Sequence, residues 1–271
     1  MLDLLTYPPV LRGLILLAVS GFTFPLGGVF ILRMNILPLR YLLMHGVLLG
    51  GAIGLATGSD PSLVSFFVNL VLILLLNRSS RLLKTDYGHL SMFFMVAAVA
   101  AASVVMAVFH VPAKDTLVLL WGSLYAGTTG SIVAAAAVGA GTVVFVLVFF
   151  RHLTVVFHDG EVAASLGIRV AAFELSVMFI TALIVASAMR LMGALLLDAL
   201  LILPVVIAGL LASGLRRTMV YSCLFGGLFS LAGFFISLLF DIPVSAGVAI
   251  PAAVVFLIVI SVKRGRKYGT T

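Results

Sequence analysis

Charge is scarce in this sequence. Lys, Arg, Asp and Glu make up 9% of 271 residues, where a soluble domain carries about 25%. Apolar residues fill the gap at 63%, and the mean hydropathy is +1.32. No soluble domain of this length buries that much apolar surface, which excludes a soluble enzyme, a nucleic-acid-binding module and a disordered chain. Cysteine is nearly absent as well. The single Cys223 sits inside an apolar run, cannot make an internal disulfide, and reads as helix filler. Zinc-finger spacings, HExxH, GxSxG and the phosphate loop GxxxxGK[ST] are all missing, so the chain has no recognisable catalytic motif and binds no ATP through such a loop. Acidic residues number nine, too few inside the apolar runs for a proton relay. The chain reads as an integral membrane protein and not as an enzyme.

A helix needs about 20 apolar residues to cross the hydrocarbon core. About nine such runs occur: Gly13–Leu32, Tyr41–Thr57, Pro61–Leu76, Ser91–Phe109, Ile132–Phe150, Ala171–Met189, Gly193–Ala212, Met219–Phe240 and Pro243–Val262. The third is short and is expected to continue as helix beyond the membrane. Pro204 and Pro251 are expected to break the spans that hold them. The stretch Thr116–Tyr125 is apolar but too short to span, as a re-entrant or interfacial helix would be. The opening MLDLLTYPPVL has Asp3 and no basic flank, so its apolar run reads as a retained span rather than a cleaved signal peptide.

The formal charge of +7 is explained by topology. With the N-terminus outside and the C-terminus inside, 13 of the 16 Lys and Arg fall on the inner side. Only Arg12, Lys114 and Arg190 fall outside, together with Asp60, Asp115 and Asp241. That distribution satisfies the positive-inside rule at every loop. The expected fold is therefore all-α: one polytopic transmembrane domain over residues 1–271, N out and C in, with a cytoplasmic segment at about 151–170. In that segment DGEVAASLG reads as a short amphipathic helix, with Asp159 as its N-cap, Glu161 in its first turn and Gly167 at its end. Gly46, Gly50, Gly54 and Gly58 recur every fourth residue along the second span, the spacing that lets helix backbones approach closely in lipid.

Ionisable side chains inside a bilayer are costly and mark functional positions by default. His45 lies roughly 8 to 12 Å in from the cytoplasmic side, and Asp198 roughly 8 Å in from the outer side. Imidazole and carboxylate together suit zinc and related divalent metals. Glu174, near the cytoplasmic end of the sixth span, reads as interfacial, paired with Arg169 or Arg151.

Six segments, in order, resemble one family: the membrane permeases of bacterial ABC importers for zinc, manganese and iron. The opening YPPVLRGLILLAVSGFTFPLGGVFILRMNILP is similar to that family's first span and basic turn. HGVLLGGAIG from His45, WGSLY from Trp121, DGEVAASLGI from Asp159, GALLLDALLILPVVIAG from Gly193 and FDIPVSAG from Phe240 resemble its later segments. The resemblance implies a bacterial inner-membrane permease without a bound cofactor, passing a divalent metal ion. It implies a second permease copy, a separate ATPase that binds the ATP and docks on Asp159, Glu161, Ala163 and Gly167, and an extracytoplasmic metal-binding protein. There is no nucleic-acid partner. Two departures stand out. The family carries Asp four residues before its second-span histidine, where this chain has Tyr41. Asp198 stands where the family has a small or apolar residue; either it restores the missing carboxylate beside His45, or it pairs with Arg190 or another polar group and never meets the metal. Without a carboxylate at position 41, zinc is favoured over manganese. The alternative is a secondary metal transporter or channel with no ATPase, which has no need for the Asp159–Gly167 helix.

Overall fold

The computed structural model describes residues 7–112, 114 and 122–268, with the backbone alone described at Arg190 and residues 264–268. Its helices are α1 (Pro8–Thr23), α2 (Pro25–Arg33), α3 (Leu37–Thr57), α4 (Pro61–Leu83), α5 (Tyr87–Val108), α6 (Thr129–His158), α7 (Gly160–Ser165), α8 (Val170–Leu201), α9 (Leu203–Leu211), α10 (Leu215–Phe240) and α11 (Val244–Tyr268), with a 3-10 turn at Leu124–Ala126. Among the described residues there is no strand. Among the described residues nine segments are long and apolar enough to span a bilayer, and each overlaps one of the nine runs read from the sequence. The third continues as helix to Leu83, as expected. The fifth also outlasts its apolar run and remains helical to His158, with a kink at Phe149 (φ −104°, ψ 16°).

Polar residues at the corners start and stop these helices. The Asp60 carboxylate accepts from the backbone N–H groups of Ser62 (2.7 Å) and Leu63 (3.2 Å), and Pro61 opens α4 where no N–H is needed. Asp86 caps α5 by accepting from Gly88 N at 2.8 Å. Gly58 ends α3 at φ +67°, a conformation that costs glycine little.

Prolines and one glycine interrupt the spans. The first span is two helices, broken at Phe24 before Pro25. The seventh breaks between Leu201 and Leu203, just before Pro204. Pro251 does not break its helix: α11 runs through it. A straight α8 of 32 residues would measure about 48 Å, well beyond a hydrocarbon core of about 30 Å. It is interrupted at Gly193, whose φ of 74° and ψ of 169° lie outside the helical region.

The chain forms two compact units. Of the described residues, one comprises those within 7–29, 125–139 and 195–268, the other those within 30–112, 114, 122–124 and 140–194. In the first, α10 packs against α1, α9 and α11. Glycine removes the side chains where backbones meet: a Cβ at Gly226 would strike the Gly21 carbonyl, and one at Gly233 would meet the Val248 backbone at 2.6 Å. In the second unit, α3 packs against α4 and α5. The α3 glycines face α4 in register. Gly46 lies against Asn69, Gly50 against Ser65 and Gly54 against Pro61, while a Cβ added at Gly58 would meet nothing within 4 Å among the described residues. Ser65 Oγ lies 2.6 Å from the Pro61 carbonyl in its own helix and 3.0 Å from the Val47 carbonyl of α3, so its one proton is offered to both sides of the seam. The other face of α4 presents Leu63, Phe67, Val71 and Leu74, all exposed. Polar groups turn inward and apolar groups outward, the arrangement lipid demands.

Asn69 is fully buried, and neither amide atom has a hydrogen-bond partner among the described residues. An unsatisfied buried amide costs about 1–3 kcal/mol. Asn69→Leu keeps the side-chain length and removes both polar atoms. The detergent-solubilised variant is expected to melt several degrees above wild type; a lower melting temperature would show that the amide is engaged.

Candidate functional site

Most of α3 is buried, and Tyr41 and His45 lie on its accessible side, Tyr41 exposed and His45 half-buried. His45 Nδ1 lies 2.7 Å from the Tyr41 carbonyl oxygen. A carbonyl only accepts, so Nδ1 carries the proton of the neutral ring. Nε2 is then left with its lone pair, the form in which imidazole binds a metal, held in place by a backbone acceptor. The Tyr41 hydroxyl accepts from Arg40 Nη2 at 2.6 Å, and the guanidinium carbon lies 4.3 Å from the Tyr41 ring centre. Where the resemblance calls for a carboxylate, this chain places a phenol already engaged by a buried arginine.

Asp198 is half-buried on α8, beyond the Gly193 break, and belongs to the first unit, whereas His45 belongs to the second. Among the described residues, no three His, Cys, Asp or Glu side chains converge as a metal site.

Residues after Asp159 form the short helix α7. Asp159 accepts from the N–H groups of Glu161 (2.8 Å) and Val162 (3.1 Å), and its charge faces the helix N-terminus. Ala163 is fully buried and turns α7 onto its own unit. Gly167, at φ +78°, ends the element in the left-handed region. Val162 and Leu166, four residues apart, stand exposed on the outer side, and Glu161 is exposed beside them.

Two residues after Ile168, α8 begins, and its opening residues, up to Glu174, carry a polar cluster that sequence reasoning missed. Glu174 does not pair with Arg169 or Arg151. Its Oε2 accepts from the Tyr87 hydroxyl at 3.2 Å, and the Arg81 charge acts on it. The same hydroxyl lies 3.1 Å from Asn77 Oδ1. Arg81 donates through Nε to Asn77 Oδ1 (3.2 Å) and through Nη2 to the Ala171 carbonyl (3.3 Å). One residue before Glu174, the Phe173 ring stacks on His152 (5.3 Å, 13°) and meets Phe149 edge-on (5.6 Å, 77°). The only sequence signals were Glu174 itself and the helical spacing of Asn77 and Arg81.

Most of the Thr116–Tyr125 stretch, including Trp121, lies outside the described residues. Near its end, Gly122 has a positive φ, as does Gly193, and a Cβ on Gly122 would run into the Gly193 backbone. The break in α8 is therefore packed directly against the segment before the 3-10 turn. In that turn, burial pushes the Tyr125 phenol up, opposed by a hydrogen bond with Ser237.

The profile of the ABC 3 transport family matches residues 6–263. The chain belongs to that family. It is a multi-pass membrane permease of the metal ABC transporter kind. The manganese import system permease protein ScaB of Streptococcus parasanguinis is 27% identical over 221 residues, 79% of this chain and 76% of that protein. The ScaB of Streptococcus pneumoniae is 31% identical over 144 residues, about half of each chain (53% and 52%). The high-affinity zinc uptake system membrane protein ZnuB of Buchnera aphidicola is 25% identical over 260 residues, 94% of this chain and 96% of that one. In fold, the chain is similar to PsaBC from Streptococcus pneumoniae, with a TM-score of 0.81 at 23% identity, covering 95% of this chain and 93% of that one.

Proposed function

We propose that this permease is the membrane half of an ATP-driven importer of divalent metal ions in a bacterial inner membrane, with its N-terminus outside and its C-terminus inside. The observation that carries the reading is α7: a capped helix whose Ala163 is anchored inward while Val162, Leu166 and Glu161 face outward. A protruding apolar pair on a charged segment is a docking surface, and a separate ATPase is the partner that drives transport through it. Asp159, Glu161, Ala163 and Gly167 are the coupling residues. An extracytoplasmic protein delivers the ion, and a second copy of the chain completes the channel.

The ion passes His45, whose Nε2 is presented for coordination. Asp198 supplies the carboxylate that Tyr41 does not. Gly46, Gly50 and Gly54 keep α3 close to α4 behind this pathway. Imidazole without a neighbouring carboxylate favours zinc, while relatives carry both manganese and zinc names. Uptake of radiolabelled zinc(II) and manganese(II) into vesicles holding the permease, its ATPase and the binding protein tests this. Uptake is expected to require ATP and to favour zinc. Uptake that persists without the ATPase would sink the importer reading and favour a secondary transporter; faster manganese uptake would reverse the metal order.

A further inference from the structure

The Tyr87 hydroxyl has one proton and two acceptors. It lies 3.1 Å from Asn77 Oδ1 on α4 and 3.2 Å from Glu174 Oε2 on α8. A phenol donates one hydrogen bond at a time, and both distances are long for an O–H donor. Neither bond is dominant, so the hydroxyl has two nearly matched positions, each joining α5 to a different helix. Transmission between distant sites requires an element of this kind, with two discrete arrangements that both sites bias.

The location gives the two positions their meaning. Glu174 is the fifth residue of α8, a helix whose start is separated from α7 only by residues 166–169. The same stretch, residues 171–174, is gripped twice more. Arg81 of α4 holds the Ala171 carbonyl, and Phe173 is stacked on His152 and Phe149 at the kink of α6. A displacement of α7 is carried to this stretch through residues 166–169, and through Asp159 to α6, whose His152 stacks on Phe173 in the same stretch. Moving Glu174 away by a few tenths of an ångström leaves Asn77 as the better acceptor, and moving it closer reverses the preference.

We propose that Tyr87 is a two-position coupling latch, fastening α5 to Glu174 in one transport state and to Asn77 in the other, so that motion delivered at α7 reaches α4 and α5. The inference rests on the reading of α7 as the ATPase dock. Tyr87 is a positioning residue: it touches no metal, and its role is to keep ion movement in step with hydrolysis.

The test uses vesicles holding the whole transporter, with zinc(II) and manganese(II) uptake and ATP hydrolysis measured on the same preparation. Tyr87→Phe keeps the ring and removes the proton. It is expected to lower ions carried per ATP about ten-fold, within the usual range of site-to-site coupling, while hydrolysis stays within about two-fold of wild type. Glu174→Gln keeps an acceptor oxygen and side-chain size and is expected to give a smaller loss of the same kind; it also serves if Tyr87→Phe fails to assemble. The double variant is expected to match Tyr87→Phe alone, because the two act through one bond. An unchanged ratio in Tyr87→Phe, a proportional fall in uptake and hydrolysis, or additive losses would each overturn the latch. Wild-type vesicles that take up neither ion with ATP would instead overturn the importer reading, and the latch with it.

Discussion

Vesicles carrying His45→Ala are expected to lose metal uptake by about 100-fold or more, with no change in assembly or melting temperature. The size follows from the role. Removing a group that only orients a metal ligand already costs about 10–100-fold, and His45 is the ligand itself. The unchanged stability follows from the geometry. His45 is half-buried, and its one hydrogen bond goes to a carbonyl in its own helix. Alanine therefore opens no core cavity, leaves no buried donor unpaired and favours helix. Asp198→Asn distinguishes the two halves of the proposed site. It keeps the shape and hydrogen-bonding capacity of the side chain and removes only the charge. If Asp198 replaces the carboxylate absent at Tyr41, uptake falls with the charge, since a neutral amide binds a divalent cation far more weakly. Full uptake by Asp198→Asn beside a dead His45→Ala would remove Asp198 from the pathway and leave the histidine in place. Full uptake by both would move the pathway off α3.

What the sequence disclosed, and what it did not, divides along a physical line. The spans were legible because crossing lipid requires about 20 apolar residues in one run. The Asp159 cap was legible because capping is local, a matter of one carboxylate and the two N–H groups after it. The helical tail of α6 was not. Arg151 and His152 end the apolar run, and hydropathy reports where the membrane stops, not where the helix does. Pro204 and Pro251 carry the same local signal, yet only the first coincides with a break, because packing decides whether a helix bends or absorbs a missing hydrogen bond. The Tyr87–Glu174 contact joins positions 87 residues apart. No periodicity encodes that distance, and Arg169 and Arg151, the arginines expected to pair with Glu174, were the wrong partners. His45 and Asp198 could be chosen from the cost of burying charge alone, but not the proton on His45 Nδ1, which depends on the carbonyl beside it.

Gly28→Ala is expected to prevent the folded permease from accumulating, an effect out of proportion to one methyl group. Gly28 lies in α2, and a Cβ there would be driven into the Leu201 carbonyl, with the Val205 side chain at 3.0 Å on its flank. The obstacle is backbone, so no side-chain rotation relieves it. Nor can Leu201 withdraw. It ends α8 at the break before α9, and Leu200, Leu201, Ile207 and Ala208 are all fully or almost fully buried. Overpacking against movable side chains costs about 1–3 kcal/mol, and a clash with fixed backbone at a helix break costs more, against a total stability of about 5–15 kcal/mol. Gly141 is the control. It lies inside α6 with nothing within 4 Å of its added Cβ, so Gly141→Ala is expected to be neutral or to gain up to about 1 kcal/mol from helix propensity. Membrane fractions probed for each variant, followed by size-exclusion profiles in detergent, give the comparison. If Gly28→Ala accumulates and melts like Gly141→Ala, then α2 does not press on the broken span, and the seventh helix owes its break to Pro204 alone. If only Gly28→Ala is lost, the break is a packed joint, held on one side by a glycine that has no side chain to place.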